Sequence, residues 1–436
     1  MSIRPPLYLA PLLSLFAAAG ERAYPVGGCV RDALLGAEPN DWDVAVTTPP
    51  EVTAQLCEDA GYRVIPTGIK HGTVTVLLPC PDGTRVPVEC TTCRTESGYT
   101  DGRHPDKVSF TGRIEDDLSR RDFTINAMAL DVGEDASPAE SLTVLDLFGG
   151  QADLAAGLIR CVGDPLTRFS EDALRMLRAV RFAVRLGFAI EPATLSAIRT
   201  LAPTLGRISR ERIEAELQKI LCTSAPSRGI APSRGIAPSR GIGLLEETGL
   251  LPSVLPGGIS PFGMGDLDSL PPDYALRLAC LLWGLSDKAL DENIAALRLP
   301  GAIRQAVRRL VAPCHLPTEA TPTAARRWRA HFGVLAAGAI QLRLAHASPA
   351  PQGEDEPTPS AILSGLLALV RRSEEDAEPV AIGDLAINGH DLLALGFAPG
   401  EGLRETLTAL LSLVWEDPAH NTRAYLTEEA LRLKGE

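Results

Sequence analysis

Near residue 150 the hydrophobic pattern of the chain changes period, and that change limits the fold more than any other feature. Between residues 24 and 150, short apolar runs alternate with turn residues: YPVGGCV, DWDVAVTT, YRVIP, GTVTVLL and VPVECTT. Their period of two and β-branched content predict strands, interspersed with helices over about 30–36, 50–60 and 122–130. Beyond 150 the strand signals fade. The pattern there predicts helices over 170–187, 192–202, 209–222, 243–250, 273–285, 289–297, 301–312, 323–346, 359–372, 389–395 and 402–415. Strands with interspersed helices at one end and helices alone at the other make an α+β chain, an α/β domain up to about residue 150 with helical domains behind it.

At 436 residues the chain is long enough for two to four domains. The helical part divides into 151–224, 243–346 and 361–436, with 347–360 (ASPAPQGEDEPTPS) as a Pro-rich, acidic linker. Residues 225–242 read APSRGI three times in succession, far below the period of a solenoid. They read as a local duplication lengthening one solvated loop, with Arg228, Arg234 and Arg240 within it. The apolar stretch Leu7 to Ala19 mimics a secretory signal, but Pro11 interrupts it and a chemical motif follows within a few residues. A core-facing first helix is the better reading, and no membrane partner is expected.

The net charge of −13 does not advertise a nucleic-acid partner, so any such partner needs a local basic face. Aromatics at 5% argue against base-stacking platforms. The nine cysteines are odd in number and dispersed, which reads as a reduced, cytoplasmic protein rather than a disulfide framework. Cys90 and Cys93 form a lone CxxC in strand-like sequence, where positions three apart face opposite sides of the sheet.

Several constellations could carry chemistry. Gly27-Gly28-Cys29-Val30-Arg31 follows a strand and opens a helix, so free N–H groups at Gly28 and the fork of Arg31 suit a phosphate. A plain strand-to-helix turn uses the same residues. Asp41 and Asp43, two apart in a strand, face one side, and carboxylates that close repel unless a proton or cation sits between them. Magnesium held by one or two carboxylates and substrate phosphates is one answer, and an exposed edge pair is the other. Glu89 either completes a metal triad, supports it from behind, or is a satisfied edge residue. Arg121 could reach nucleotide phosphates; Asp122 could accept from a ribose hydroxyl or simply cap a helix. Asp172, Arg175, Arg178 and Arg181 follow a spacing of three along one helix face. Such a stripe is commonly solvated, yet a carboxylate beside an arginine matches the amino-donor and ring-nitrogen edge of cytosine and adenine and mismatches uracil and guanine.

Taken together, GGCVRDALLG, DWDVAV, RRDFTINAMA, LDLFGGQADL, EDALRMLRAVRFA and SRERIEAELQKIL resemble the class II tRNA nucleotidyltransferases, CCA-adding enzymes of the polymerase-β-like superfamily. The likeness is strong over residues 20–255 and fainter at ING-DLL, 387–393. It implies a nucleotidyltransferase head (1–150) followed by an all-helical neck, body and tail that grip the acceptor end of tRNA. It further implies two Mg²⁺ ions on Asp41 and Asp43, triphosphate contacts from Gly28 and Arg31, nucleotide contacts from Arg121 and Asp122, and base reading by Asp172 with Arg175. Arg178 and Arg181 would contact the nucleotide or its phosphates. CTP and ATP would be the substrates.

PTGIKHGTVTVL stands where poly(A) polymerases carry a GRRF-like run, and the loop TESGYTDGRHPDKVSFTGRIEDDL is one that CC-adding enzymes lack. Full CCA addition or addition of the terminal A alone therefore remain. A small-molecule nucleotidyltransferase would not need so long a helical half, and a non-catalytic RNA-binding relative would have no need of Asp41, Asp43 and Arg121. His390-Asp391 is an isolated pair, not an HD phosphohydrolase centre. Candidate RNA-facing arginines are Arg175 to Arg185, Arg207, Arg210, Arg212, Arg304, Arg308, Arg309, Arg326, Arg327 and Arg329. Monomer and homodimer are equally compatible with the sequence.

Overall fold

The computed structural model describes residues 2–98, 107–131, 142–223, 237–347 and 358–435, which divide into two units. The first is Met1–Pro256 with Ala296–Arg298, and the second is Gly257–Ala295 with Leu299–Glu436.

The first unit begins β1 (Ser2–Ile3), α1 (Ala10–Ala18), β2 (Ala23–Pro25), α2 (Gly28–Leu34), β3 (Val44–Val46), α3 (Pro50–Asp59), β4 (Arg63–Gly68), β5 (Thr73–Pro79) and β6 (Arg85–Thr92). It continues with β7 (Arg94–Ser97), β8 (Lys107–Phe110), α4 (Ile114–Ser119), β9 (Met128–Asp131), β10 (Leu142–Asp146), α5 (Gly150–Ala156) and β11 (Leu158–Ile159). Then come α6 (Pro165–Glu171), α7 (Leu174–Leu186), β12 (Ala189–Ile190), α8 (Pro192–Leu201), α9 (Arg210–Leu221), α10 (Pro238–Glu247) and α11 (Leu251–Val254).

The main sheet is mixed, in the order β2-β3-β6-β5-β4, with β3 and β6 parallel and the other pairs antiparallel. Val74, Val76 and Leu78 on β5 and Val88 and Cys90 on β6 are fully buried at alternate positions, as a one-sided sheet requires. Leu9, Leu12, Leu13 and Phe16 close that core, so the apolar N-terminal stretch is a core helix. Cys90 belongs to this cluster and Cys93 to a separate one around Tyr24 and Leu118, the opposite-face placement expected of their spacing. All nine cysteines are free thiols, and no helix among the described residues is long and apolar enough to cross a membrane.

Several predicted elements are corrected. Residues 122–130 are not a helix: a short 3-10 turn at Thr124–Asn126 leads directly into β9, whose backbone is claimed by β10 in the register Val144↔Leu130. The expected helix 170–187 breaks at Asp172, whose extended backbone (φ −145°) ends α6 and lets its carboxylate accept from Leu174 N at 3.0 Å, opening α7. Helix α7 stops at Gly187 (φ 68°), which donates back to Ala183 and Val184 carbonyls.

The first two APSRGI copies lie outside the described residues; the third forms the start of α10 and is no solvated loop. Arg240 of that copy donates to the carbonyls of Ala183 (2.9 Å) and Phe188 (2.6 Å), tying α10 to the end of α7. The tip of the loop before the RRD motif, 99–106, and most of the Pro-rich linker, 348–357, also lie outside the described residues; the flanks of that loop pair as the antiparallel hairpin β7–β8.

The second unit is helical: α12 (Tyr274–Leu281), α13 (Asp287–Leu297, whose last two residues count with the first unit), α14 (Gly301–Val311), α15 (Pro322–Phe332), α16 (Ala336–Ala345), α17 (Pro359–Glu375), α18 (Gly389–Ala394), α19 (Glu401–Glu416) and α20 (Arg423–Gly435). Thr-Pro pairs start two of them: Thr321 Oγ1 accepts from Ala324 N and Thr358 Oγ1 from Ala361 N, with proline at the first helical position. The expected single helix 323–346 is two, because Gly333 takes φ 59° between α15 and α16. Helix α20 was not predicted; its buried Leu426 and Ala430 complete a core with Leu392, Leu410 and Val414.

Candidate active site

Asp41 and Asp43 do not lie within a strand but in the extended lead-in to β3, where the carbonyl of Asp43 accepts from Val26 N at 2.9 Å. The alternation expected of a strand nevertheless holds, since Trp42 between them is buried in the core. Register then does what spacing could not. Val44 pairs with Cys90 across parallel β3 and β6, which sets Asp43 level with Glu89 on the open face. Asp43 keeps solvent on its cleft side yet is closely hemmed by protein. Burial, then repulsion from Glu89 and Asp41, pushes its carboxyl up to about 6.

The three acids do not converge on one point: among the described residues no group of three or more acidic, histidine or cysteine side chains is gathered tightly enough to hold a metal ion alone. Asp41 and Asp43 themselves are hard oxygen donors facing the cleft, the kind that suits a divalent cation taking one or two carboxylates and completing its shell from phosphate and water. Glu89 stands outside the cleft lining and acts on Asp43 through space.

The turn after β2 presses against the next motif. Gly27 has φ +81°, and a Cβ there would lie 2.6 Å from Arg121 Nη1, so any other residue at 27 strains the backbone and displaces the guanidinium. At Gly28 a Cβ would meet only ordinary contact, 3.6 Å from Arg31 Nη2, so Gly28 serves as the first residue of α2 rather than as an obligatory glycine. Arg121 is held by Asp117, which accepts from Nη2 at 3.0 Å and on its other oxygen from Arg120. Arg31, 3% exposed, donates from Nε to Asp32 (2.7 Å) and from Nη1 to Asn126 Oδ1 (2.6 Å).

Asp122 caps no α-helix. Its Oδ1 accepts from Phe123 N (2.9 Å) and Asn126 Nδ2 (3.2 Å), its Oδ2 accepts from Arg178 Nε (2.8 Å), and Arg178 Nη2 stands 2.6 Å from the same oxygen as an ion pair. Burial alone would raise its pKa, but the Arg178 charge and hydrogen bonds outweigh burial and hold it below the usual range.

The neck helices supply the rest. Asp172 pairs with Arg212 Nη2 at 2.8 Å, and Arg175 donates from Nη1 to Glu171 (2.5 Å) and from Nη2 to the carbonyl of Arg120 (3.2 Å). The side chains of Asp172 and Arg175 are thus not paired with each other, although Arg175 N donates to the Asp172 carbonyl at 3.0 Å; each side chain is positioned by a different neighbour. Arg181 lies 2.9 Å from Glu216 but without hydrogen-bond alignment, and burial pushes it down to about 10.

These groups line one cleft of about 610 Å³ within the first unit. Ten of the eleven residues singled out from the sequence reach it: Gly28, Arg31, Asp41, Asp43, Arg121, Asp122, Asp172, Arg175, Arg178 and Arg181. Sequence reasoning missed Asp32, Asn126 and Phe182 there and placed Arg212 on an RNA face; Asn126 stands in the quoted RRDFTIN run and Phe182 in EDALRMLRAVRFA, but only their partners reveal a role. Eight arginines against five aspartates line the cleft, the local basic face that an acidic chain must provide for a polyanion.

Two arginines proposed for an RNA face in the second unit are structural instead. Arg326, 6% exposed, grips Glu378 with two nitrogens and the Trp415 carbonyl with the third, and Arg329 donates to the carbonyls of Ser373 and Glu378. Arg304 and Arg309 remain on the surface. His390 and Asp391 open α18, where Asp391 accepts from Asn388 N at 2.8 Å in a capping box.

A mixed sheet with paired carboxylates at a strand start, facing an arginine-lined cleft, defines a nucleotidyltransferase. Residues 23–160 match the poly A polymerase head domain family, and residues 187–231 match the probable RNA and SrmB-binding site of polymerase A. A CCA-adding enzyme of Limosilactobacillus fermentum is 35% identical over 420 residues, 96% of this chain and 95% of the relative. The crystal structure of the Bacillus stearothermophilus CCA-adding enzyme in complex with CTP superposes with a TM-score of 0.70 at 28% identity, covering 99% of this chain and 100% of that one. The Thermotoga maritima CCA-adding enzyme complexed with tRNA shares the fold, with a TM-score of 0.63 at 21% identity over 98% of this chain and 94% of that one. The chain belongs to the CCA-adding enzyme family.

Proposed function

We infer that the protein adds CCA to the 3′ end of tRNA without a nucleic-acid template, using CTP and ATP and releasing pyrophosphate. One observation carries this reading. The metal-suited pair Asp41 and Asp43 and the base-matching pair Asp172 and Arg175 face the same 610 Å³ cleft, so one bound nucleotide can meet both.

In that cleft Arg31 and Arg121, each anchored by a carboxylate or amide behind it, offer their remaining N–H groups to the triphosphate. Asp172 accepts from the exocyclic amino group that cytosine and adenine share, and Arg175 donates to the adjacent ring nitrogen; uracil or guanine would leave both unpaired. Arg212 and Glu171 keep that acceptor and donor in place before a base arrives. Asp41 and Asp43 would hold two Mg²⁺ ions. When bound, these ions supply charge stabilisation at the attacking 3′-oxygen and the departing pyrophosphate. The head spans 1–150, the neck 151–224, the body 243–346 and the tail 361–436; Arg304 and Arg309 of the body suit sequence-independent phosphate contacts.

The test uses purified protein, Mg²⁺ and two tRNA transcripts, one lacking CCA and one lacking the final A, with CTP, ATP, both, or UTP and GTP. Three additions to the first transcript are expected. Extension of the second transcript alone would mean an A-adding enzyme, and a long ladder with ATP a poly(A) polymerase.

A further inference from the structure

Phe182 is 4% exposed and lines the nucleotide cleft from α7. Three guanidiniums gather over its ring: the Cζ of Arg181 is 4.4 Å from the centroid, that of Arg31 5.3 Å and that of Arg178 5.5 Å. The ring is braced edge-on by Phe123, with centroids 5.8 Å apart and planes at 79°. These arginines come from two separate elements, α2 and α7, and like charges so close repel one another.

Each has an oxygen partner as well: Asp32 and Asn126 for Arg31, Asp122 for Arg178, Glu216 for Arg181. The two kinds of partner differ in what they consume. An oxygen occupies N–H donors of the guanidinium, whereas a π face attracts the cation and occupies none. A site that must turn its arginine edges toward a triphosphate therefore benefits from a partner that leaves those edges open.

We propose that Phe182 is a positioning residue for nucleotide binding, its ring face holding Arg31, Arg178 and Arg181 together while their N–H edges serve the nucleotide. The inference rests on reading the cleft as the CTP and ATP site. What matters on this account is the ring's negative face and not its bulk. A residue needed only for packing would tolerate any change that keeps the volume.

Progressive fluorination separates the two, because fluorine drains the ring face while changing its size little. Full-length protein is made with phenylalanine, 4-fluoro-, 3,5-difluoro- or 3,4,5-trifluorophenylalanine at position 182, and the same series is made at Phe16, buried in the sheet core and not part of the cleft lining, as a control. Dissociation constants for CTP and ATP, KM, kcat and Tm are measured for each. The expected result is a stepwise rise in dissociation constant and KM across the 182 series, reaching roughly tenfold. Tm and kcat hold within narrow bounds, and the Phe16 series stays flat. Phe182→Leu, which keeps an apolar side chain but has no ring, shows at least the same loss. A flat 182 series in a protein that binds CTP overturns the role of the ring alone. No CTP binding by the unmodified protein overturns the nucleotide reading and this inference with it.

Discussion

Arg178 on α7 donates from Nε, at 2.8 Å, to the carboxylate of Asp122, 56 residues earlier in the chain. Asp122 in turn accepts from Asn126, whose amide oxygen accepts from Arg31, so a continuous chain of hydrogen bonds runs from the start of α2 to the middle of α7. Helices α2 and α7, which line the cleft from opposite parts of the chain, are thereby tied together by buried polar groups, which tolerate few alternative arrangements.

Replacing one end of this chain leaves the other uncompensated. Arg178→Met strands the Asp122 carboxylate, 9% exposed, and is expected to cost about 3 kcal/mol in chemical denaturation. The double replacement Arg178→Met with Asp122→Leu should recover much of that stability without recovering nucleotide incorporation. Equal stability of the single variant and the wild type would show that the pair is not buried in solution.

Acid should find the same pairs. Asp117 and Asp122 are both buried, which raises their pKa, but the neighbouring arginine charges outweigh burial and hold both below the ordinary 3.8. With the folded pKa depressed, the stabilisation is complete above the unfolded value and drains away as pH falls through the folded one. Unfolding free energy from these pairs is therefore expected to hold from pH 7 to about 5 and to fall below about pH 4. Asp117→Asn should start lower and show a shallower fall over that acid range, measured by urea titrations at successive pH values.

Asp43 has the opposite sign. Its pKa is pushed up to about 6 by burial and by Glu89 and Asp41, so the ionised form is disfavoured in the folded, metal-free protein. Asp43→Asn is expected to melt at the same temperature or higher in EDTA at pH 8, with the difference shrinking as pH falls below about 6 and the proton neutralises the wild-type side chain. Incorporation should drop by roughly 10²–10³ or more. A lower Tm for the variant in EDTA would contradict the repulsion described.

Gly27→Ala tests the turn. It combines a left-handed backbone (φ +81°) with a Cβ 2.6 Å from Arg121 Nη1, so Arg121 must move off Asp117. Stability should fall by about 1–2 kcal/mol, with KM for CTP raised. Gly28→Ala, where the contact is 3.6 Å, should be close to wild type in stability.

How much of this was legible beforehand depends on the range of the interactions involved. The aspartate pair, the arginine stripe and the change of class near residue 150 are local patterns, and side-chain alternation along a strand or helix makes them readable. The stripe nevertheless reads as one continuous helix in sequence, because the break at Asp172 comes from a side chain folding back onto Leu174 N rather than from a proline or glycine. The third APSRGI copy reads as loop by its composition, since identical hexapeptides carry identical propensity; it is helical because Gly241 packs against Ile220 and Val184.

The α+β class, the order of the motifs and ten of the residues that line the cleft are legible in the chain, because each follows from periodicity, from charge within one short segment, or from a resemblance carried by contiguous motifs. Which charges meet depends on the packed fold. The β3–β6 register sets Glu89 beside Asp43, Arg212 lies 40 residues from the Asp172 it holds, and Phe182 collects arginines from α2 and α7. Partner choice among many arginines and carboxylates is settled by burial and distance, and neither exists until the sheet and the helices have packed.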